Sequence, residues 1–116
     1  MKYIRTKDNI IYQVYDKVFE YKGDKRYQLV DSRFEISLND IIKQAYTIEE
    51  LCDWFVVEGD DNEITYHKTL FSAETDGKDY ILESNETYTI YGCVLVKGQG
   101  LIYVARMNDK GELELL

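Results

Sequence analysis

The sequence predicts an α+β domain. Antiparallel strands form a strongly curved sheet or partly open barrel, with one short helix over about residues 47–57. Short runs rich in β-branched and aromatic residues recur along the whole chain, separated by Gly, Asn and Asp. Only one stretch combines an N-cap with helical apolar spacing. Among the 116 residues there is no proline, so turns rest on Gly, Asn and Asp. The length fits a single domain over residues 1–116, and 45% hydrophobic content is enough for a core.

Lys2–Arg5, Ile10–Tyr15, Val18–Lys22 and Arg26–Val30 read as strands, with Gly23-Asp24 turning between the last two. Phe34, Ile36 and Leu38 alternate with Glu35 and Ser37, while Ile41-Ile42 suits either a strand or a helical turn. The helix is read from Thr47, whose hydroxyl and Glu50 form a capping box, and from Ile48, Leu51, Cys52 and Phe55, which share one stripe. Glu63–Phe71 and Tyr80–Glu83 read as strands around an Asp76-Gly77 turn. Residues 87–97 and 101–107 make a hairpin across Gly98-Gln99-Gly100, and Asn108–Gly111 turns into a last short strand.

The net charge of −8 is not spread evenly. Residues 1–46 carry nine Lys or Arg and seven Asp or Glu, residues 47–96 two and twelve, and residues 97–116 three of each. The negative excess is therefore confined to the middle, densest at Glu58–Glu63 and returning at Glu74, Asp76, Asp79, Glu83 and Glu86. Such a block repels nucleic-acid phosphate and steers a basic partner toward it. The basic residues Lys22, Lys25, Arg26 and Arg33 interleave with Tyr21, Tyr27 and Phe34, but Asp24, Asp31 and Glu35 neutralise them. Direct nucleic-acid binding is not expected.

Motifs for chemistry are sparse. His67 is the one histidine, which excludes multi-histidine zinc sites. Cys52 and Cys93 sit among apolar residues and read as reduced core thiols rather than nucleophiles. Asp60, Asp61 and Glu63 fail the calcium-loop pattern, because Ile64 occupies a ligand position and no glycine follows. No metal or cofactor is expected. The opening Met1–Asp8 has no apolar signal core, and the longest nearly apolar run, Tyr88–Val96, is too short to span a bilayer, so the expected residence is cytoplasmic.

Three stretches carry a likeness: Met1–Asp8, Ile41–Ala45 with the Thr47–Asp53 segment after it, and Gly100–Asn108 with Gly111–Leu113. Together they resemble small accessory proteins of phages and prophages of low-GC Gram-positive bacteria. That resemblance implies a phage accessory protein, with anti-CRISPR and other anti-defence inhibitors among the types, several of them nucleic-acid mimics. It carries no assigned chemistry and does not reach Glu58–Glu86.

The expectation is a non-enzymatic binding protein, a monomer or weak homodimer. It docks an acidic face on a basic nucleic-acid groove of a host protein such as a Cas nuclease. Glu58, Asp60, Asp61, Glu63, Glu74, Asp76 and Asp79 take phosphate positions, and Trp54, Tyr66 and Tyr80 act as anchors. The alternatives are a small hydrolase acting on a defence nucleotide and a phage structural or assembly protein. The hydrolase requires His67 in a pocket within hydrogen-bonding distance of Cys93 or carboxylates.

Overall fold

In the computed structural model, which describes residues 1–116, the alternating runs of the first third become a sheet. The strands are β1 (Lys2–Thr6), β2 (Ile11–Tyr21), β3 (Asp24–Leu29), β4 (Glu35–Ser37) and β5 (Ile41–Ala45). They pair antiparallel in the order β4-β3-β2-β1-β5. The two strands expected over 10–15 and 18–22 are one long β2, interrupted only by a register shift between Val14 and Val18. It turns at Lys22-Gly23, where φ is 51° and 81°, the doubly left-handed geometry of a tight hairpin. Ile4, Val14, Tyr27 and Leu29 form its buried core.

This sheet belongs to one compact unit, Met1–Leu51. Within the basic–aromatic stretch, Arg26 pairs with Asp24 at 2.8 Å and with Glu35 at 3.6 Å. Its guanidinium also sits 5.4 Å from the centre of the Tyr21 ring.

The second compact unit, Cys52–Leu116, contains β6 (Trp54–Gly59), β7 (Ile64–His67), α1 (Leu70–Ser84), β8 (Tyr88–Val96), β9 (Gly100–Met107) and β10 (Leu113–Leu115). Its antiparallel sheet has the order β10-β9-β8-β6-β7. The C-terminal hairpin and final strand form as expected, with Gly98 and Gly100 at φ of 82° and 80°. Phe55 and Val57 of β6, Ile90 of β8 and Ala73 of α1 form a buried cluster between the sheet and the helix. Burying each large member stabilises the fold by about 1.5–3 kcal/mol.

Two readings from sequence are overturned. The helix over about 47–57 does not form. The capping box does: the Thr47 N–H and hydroxyl donate to Glu50 at 3.2 and 3.1 Å. It opens only a 3-10 turn, Glu49–Leu51. The Asp53 N–H then donates to the Cys93 carbonyl at 2.8 Å and the Leu95 N–H to the Asp53 carboxylate at 2.7 Å, which commits the chain to β8. From there Trp54-Phe55-Val56-Val57, aromatic and β-branched, is worth more between two strands than in a helix.

The helix lies instead at Leu70–Ser84, across residues read as strand, turn and strand. Thr69 caps it, its hydroxyl accepting from the Ser72 N–H at 3.1 Å, and Asn85 ends it in the left-handed region at φ 59°. Gly77, a turn residue by its sequence context, is a mid-helix glycine at a close approach: a Cβ there would lie 2.4 Å from the Tyr88 ring.

Neither sheet closes into a barrel. Each is open, with edges at β4 and β5 and at β10 and β7. In the second unit α1 covers one face instead, the α+β solution to burying a sheet.

Candidate functional site: an acidic groove beside the helix

Strand alternation divides the acidic residues of the second unit between two faces. Phe55, Val57 and Gly59 of β6 face α1 together with their partners His67 and Thr65 of β7. Trp54, Val56 and Glu58 face the other way, alongside Tyr66 and Ile64. Along α1, Ala73 and Gly77 point into the sheet, and Asp76, Asp79, Tyr80 and Glu83 follow at spacings that place them on one flank. The result is a groove of about 200 Å³ floored by Val57 and Gly59 and walled by Glu63, Thr65, Asp76, Asp79, Tyr80 and Glu83. Four acidic residues line it.

Of the residues singled out from sequence, Glu63, Asp76, Asp79 and Tyr80 meet here. Asp60 and Asp61 lie next to it in the turn between β6 and β7, where they are used locally. Asp60 accepts from the Thr87 hydroxyl, and Asp61 accepts from the Glu63 N–H at 3.1 Å. The Tyr80 phenol also faces Asp61, and together with the Glu63 N–H it holds that carboxyl below its usual range. Tyr80 itself is pushed up, first by loss of solvent and then by Asp61. Its oxygen is shut off from water over Gly59 and makes no hydrogen bond of regular geometry.

The remaining candidates lie elsewhere. Glu74 occupies the opposite flank of α1 by its helical angle. Tyr66 is 59% exposed on the far face of the sheet. Trp54, on that same face, carries the Lys68 ammonium 4.3 Å from its ring centre. Glu58 is part of a different cluster, accepting from the Tyr103 hydroxyl at 2.8 Å, and Tyr103 stacks on Tyr91 with centroids 4.6 Å apart. Desolvation and then Glu58 raise the Tyr103 pKa, so the phenol keeps its proton and the bond is charge-assisted. Tyr103→Phe should cost about 1 kcal/mol in chemical denaturation, less than a fully buried bond to a charge because the site is partly wet.

Cys93 is buried, and burial followed by the field of Glu58 pushes its thiol up to about 11. A raised folded pKa means the unfolded chain gives up the proton first. The stability this contributes is intact below about pH 9 and is lost as pH climbs toward 11. Iodoacetamide should therefore leave Cys93 unmodified in the folded protein at neutral pH and alkylate it in denaturant, read by peptide mass.

A second constellation borders the groove. On β7, Thr65 and His67 project to the same side; on α1, Ser72 and Asp76 are one turn apart. His67 Nδ1 lies 2.8 Å from Ser72 Oγ, and Nε2 lies 3.2 Å from Asp76 Oδ2 and 3.0 Å from Thr65 Oγ1. Thr65 Oγ1 also donates to Asp76 Oδ2. Sequence reasoning paired His67 with Cys93 or unspecified acids; its carboxylate is Asp76, and Cys93 contributes nothing to it. The spacings Thr65-x-His67 and Ser72-x-x-x-Asp76 were readable, but only once one segment is known to be strand and the other helix.

No group of three or more His, Cys, Asp or Glu is arranged to hold a metal ion. No helix is long and apolar enough to cross a membrane. In comparisons with protein-family models, curated proteins and solved structures, nothing matches this chain.

Proposed function

We propose that this chain is a binding protein that presents the groove beside α1 to a basic surface, with Glu63, Asp76, Asp79 and Glu83 receiving Lys or Arg side chains of the partner. The supporting observation is that four acidic residues, Glu63, Asp76, Asp79 and Glu83, line one small hollow together with Tyr80. Like charges gathered this closely repel one another, and a cationic partner removes that cost. Arginine suits the site better than lysine, because its planar fork donates two parallel N–H bonds to a single carboxylate. Together with the likeness to phage accessory proteins, this makes an anti-defence inhibitor the favoured role. The partner is then a host protein with a basic nucleic-acid groove, a Cas nuclease being one such.

The docking face is smaller than the whole acidic segment. Glu58, Tyr66 and Trp54 belong to the other side of the sheet and are left out of it. Affinity capture from a bacterial lysate tests the reading. Wild-type protein should retain a basic host protein at low salt, and a Glu63→Gln/Asp79→Asn/Glu83→Gln variant should not. Equal retention by both would sink the reading.

The contact of His67 with Ser72 and Asp76 favours a second reading, an enzyme, and supplies the inference that follows.

A further inference from the structure

We infer that Ser72 is a nucleophile activated by His67, and that the second unit takes the acyl group from a small carboxylic ester, with a cationic ester preferred.

The protonation of the imidazole follows from its partners. A carboxylate only accepts, so Nε2, which faces Asp76 Oδ2, carries the hydrogen of the neutral ring. Nδ1 is then a bare lone pair, and the hydroxyl 2.8 Å away, Ser72 Oγ, donates to it. Serine, imidazole and carboxylate thus stand in the order that makes a hydroxyl nucleophilic, with the base oriented by a third group. The roles of the two ring nitrogens are exchanged relative to the familiar serine hydrolases, which changes no proton count. Thr65 is a positioning residue: its hydroxyl donates to the Asp76 oxygen that faces Nε2 and holds the carboxylate in place.

Burial is graded in the way the chemistry needs. The His67 side chain is 14% exposed and Asp76 38%, while Ser72 is on the surface and open to a substrate. Ser72 also lies in the first turn of α1, where the N–H groups of Leu70 and Phe71 have no acceptor within the helix and the dipole favours a developing anion.

The step balances with water as the co-reactant. Ser72 Oγ attacks the ester carbonyl carbon while its proton passes to Nδ1, and the imidazolium is stabilised by Asp76. The tetrahedral intermediate collapses, the carbonyl re-forms, and the alkoxide leaves with the proton from Nδ1. Water then attacks the acyl-serine, gives a proton to Nδ1, and the acid departs as Ser72 recovers its hydrogen. The preference for a cation comes from Asp79, Glu83 and Glu63, which line the groove that Thr65 and Asp76 also border.

The test uses the full chain and a fluorophosphonate probe, followed by intact mass and peptide mapping. A single adduct on Ser72 is expected. Ser72→Ala should abolish it and His67→Gln should slow it by about a hundredfold or more, the usual worth of a general base. Alanine is favourable at an exposed helix position, so Ser72→Ala keeps the fold, which circular dichroism checks. Trimethylammoniophenyl acetate should be hydrolysed with a higher kcat/KM than its neutral tert-butylphenyl isostere. Labelling no faster than in heat-denatured protein, or an unchanged rate in His67→Gln, overturns the assignment of Ser72. Equal kcat/KM for the two esters overturns the cationic preference. The adduct reads Ser72 and not partner binding, so its failure and the failure of the docking reading are separate results.

Discussion

Gly77→Ala should destabilise the protein by about 1–3 kcal/mol, read as a shift of the urea midpoint at unchanged slope. Helix propensity alone predicts the opposite, since alanine in a helix interior is favoured over glycine by about 1 kcal/mol. Packing overrides it. A Cβ on Gly77 would meet three atoms of the Tyr88 ring at 2.4, 2.6 and 2.8 Å, distances no carbon pair tolerates. Tyr88 packs on the core of Phe55, Val57, Ala73 and Ile90, so moving the ring outward opens that core as well. A double variant with Tyr88→Ala should recover much of the loss caused by the glycine change, because the two positions share one contact. Additive effects would show that Gly77 is not there for the approach of α1 to β8.

Neutralising three walls of the groove, with Glu63→Gln, Asp79→Asn and Glu83→Gln together, should raise the thermal midpoint at low ionic strength. That gain should vanish in high salt. Four carboxylates around one hollow of about 200 Å³ repel one another across distances well inside the Debye length at 0.01 M, about 30 Å. A surface kept in that state carries a stability cost, and the expectation that binding sites carry such costs is general. A scattered set of hydrated side chains would instead give a midpoint independent of both the substitutions and the salt. Differential scanning calorimetry at two ionic strengths separates the two outcomes. Asp76 is left intact in this variant because it also orients His67.

The strands were legible where alternation or turn chemistry ran undisturbed. Val96 to Leu101 across two left-handed glycines is the clearest case, and the Asn108 side chain taking the Lys110 and Glu112 N–H groups at 2.9 and 3.0 Å is another. The helix lies elsewhere than the sequence predicts for two opposite reasons. At Thr47 the local signal, the capping box, forms but opens only a single turn. Cap chemistry is a contact between neighbours, whereas β6 is decided by pairing with β7 and β8, far away in sequence. At Leu70–Ser84 the signals for a helix were real but masked. Asp76-Gly77 looks like a turn, and the apolar residues Phe71 and Leu82 are 79% and 84% exposed, so the apolar pattern does not trace the buried face.

That exchange also governs what was legible of the site. Charge counting locates the acidic segment, and of its residues Glu63, Asp76, Asp79 and Tyr80 line one groove. Which of them share a surface depends on a period of 3.6 rather than 2, because only a helix brings Asp76, Asp79 and Glu83 to one flank. The same period unites Ser72 with Asp76 across His67. Glu58 and Tyr66 are close in sequence to the groove residues, but the alternation of β6 and β7 sends them to the other face.

The most direct measurement is a calorimetric titration of the wild-type chain and the Glu63→Gln/Asp79→Asn/Glu83→Gln variant with hexa-arginine peptide, repeated from about 0.02 to 0.5 M salt. A receiving groove binds the peptide with an affinity that falls steeply as salt rises, and the variant binds it about tenfold or more weakly at low salt. The same affinity and the same salt slope in both proteins would contradict the groove as the seat of binding.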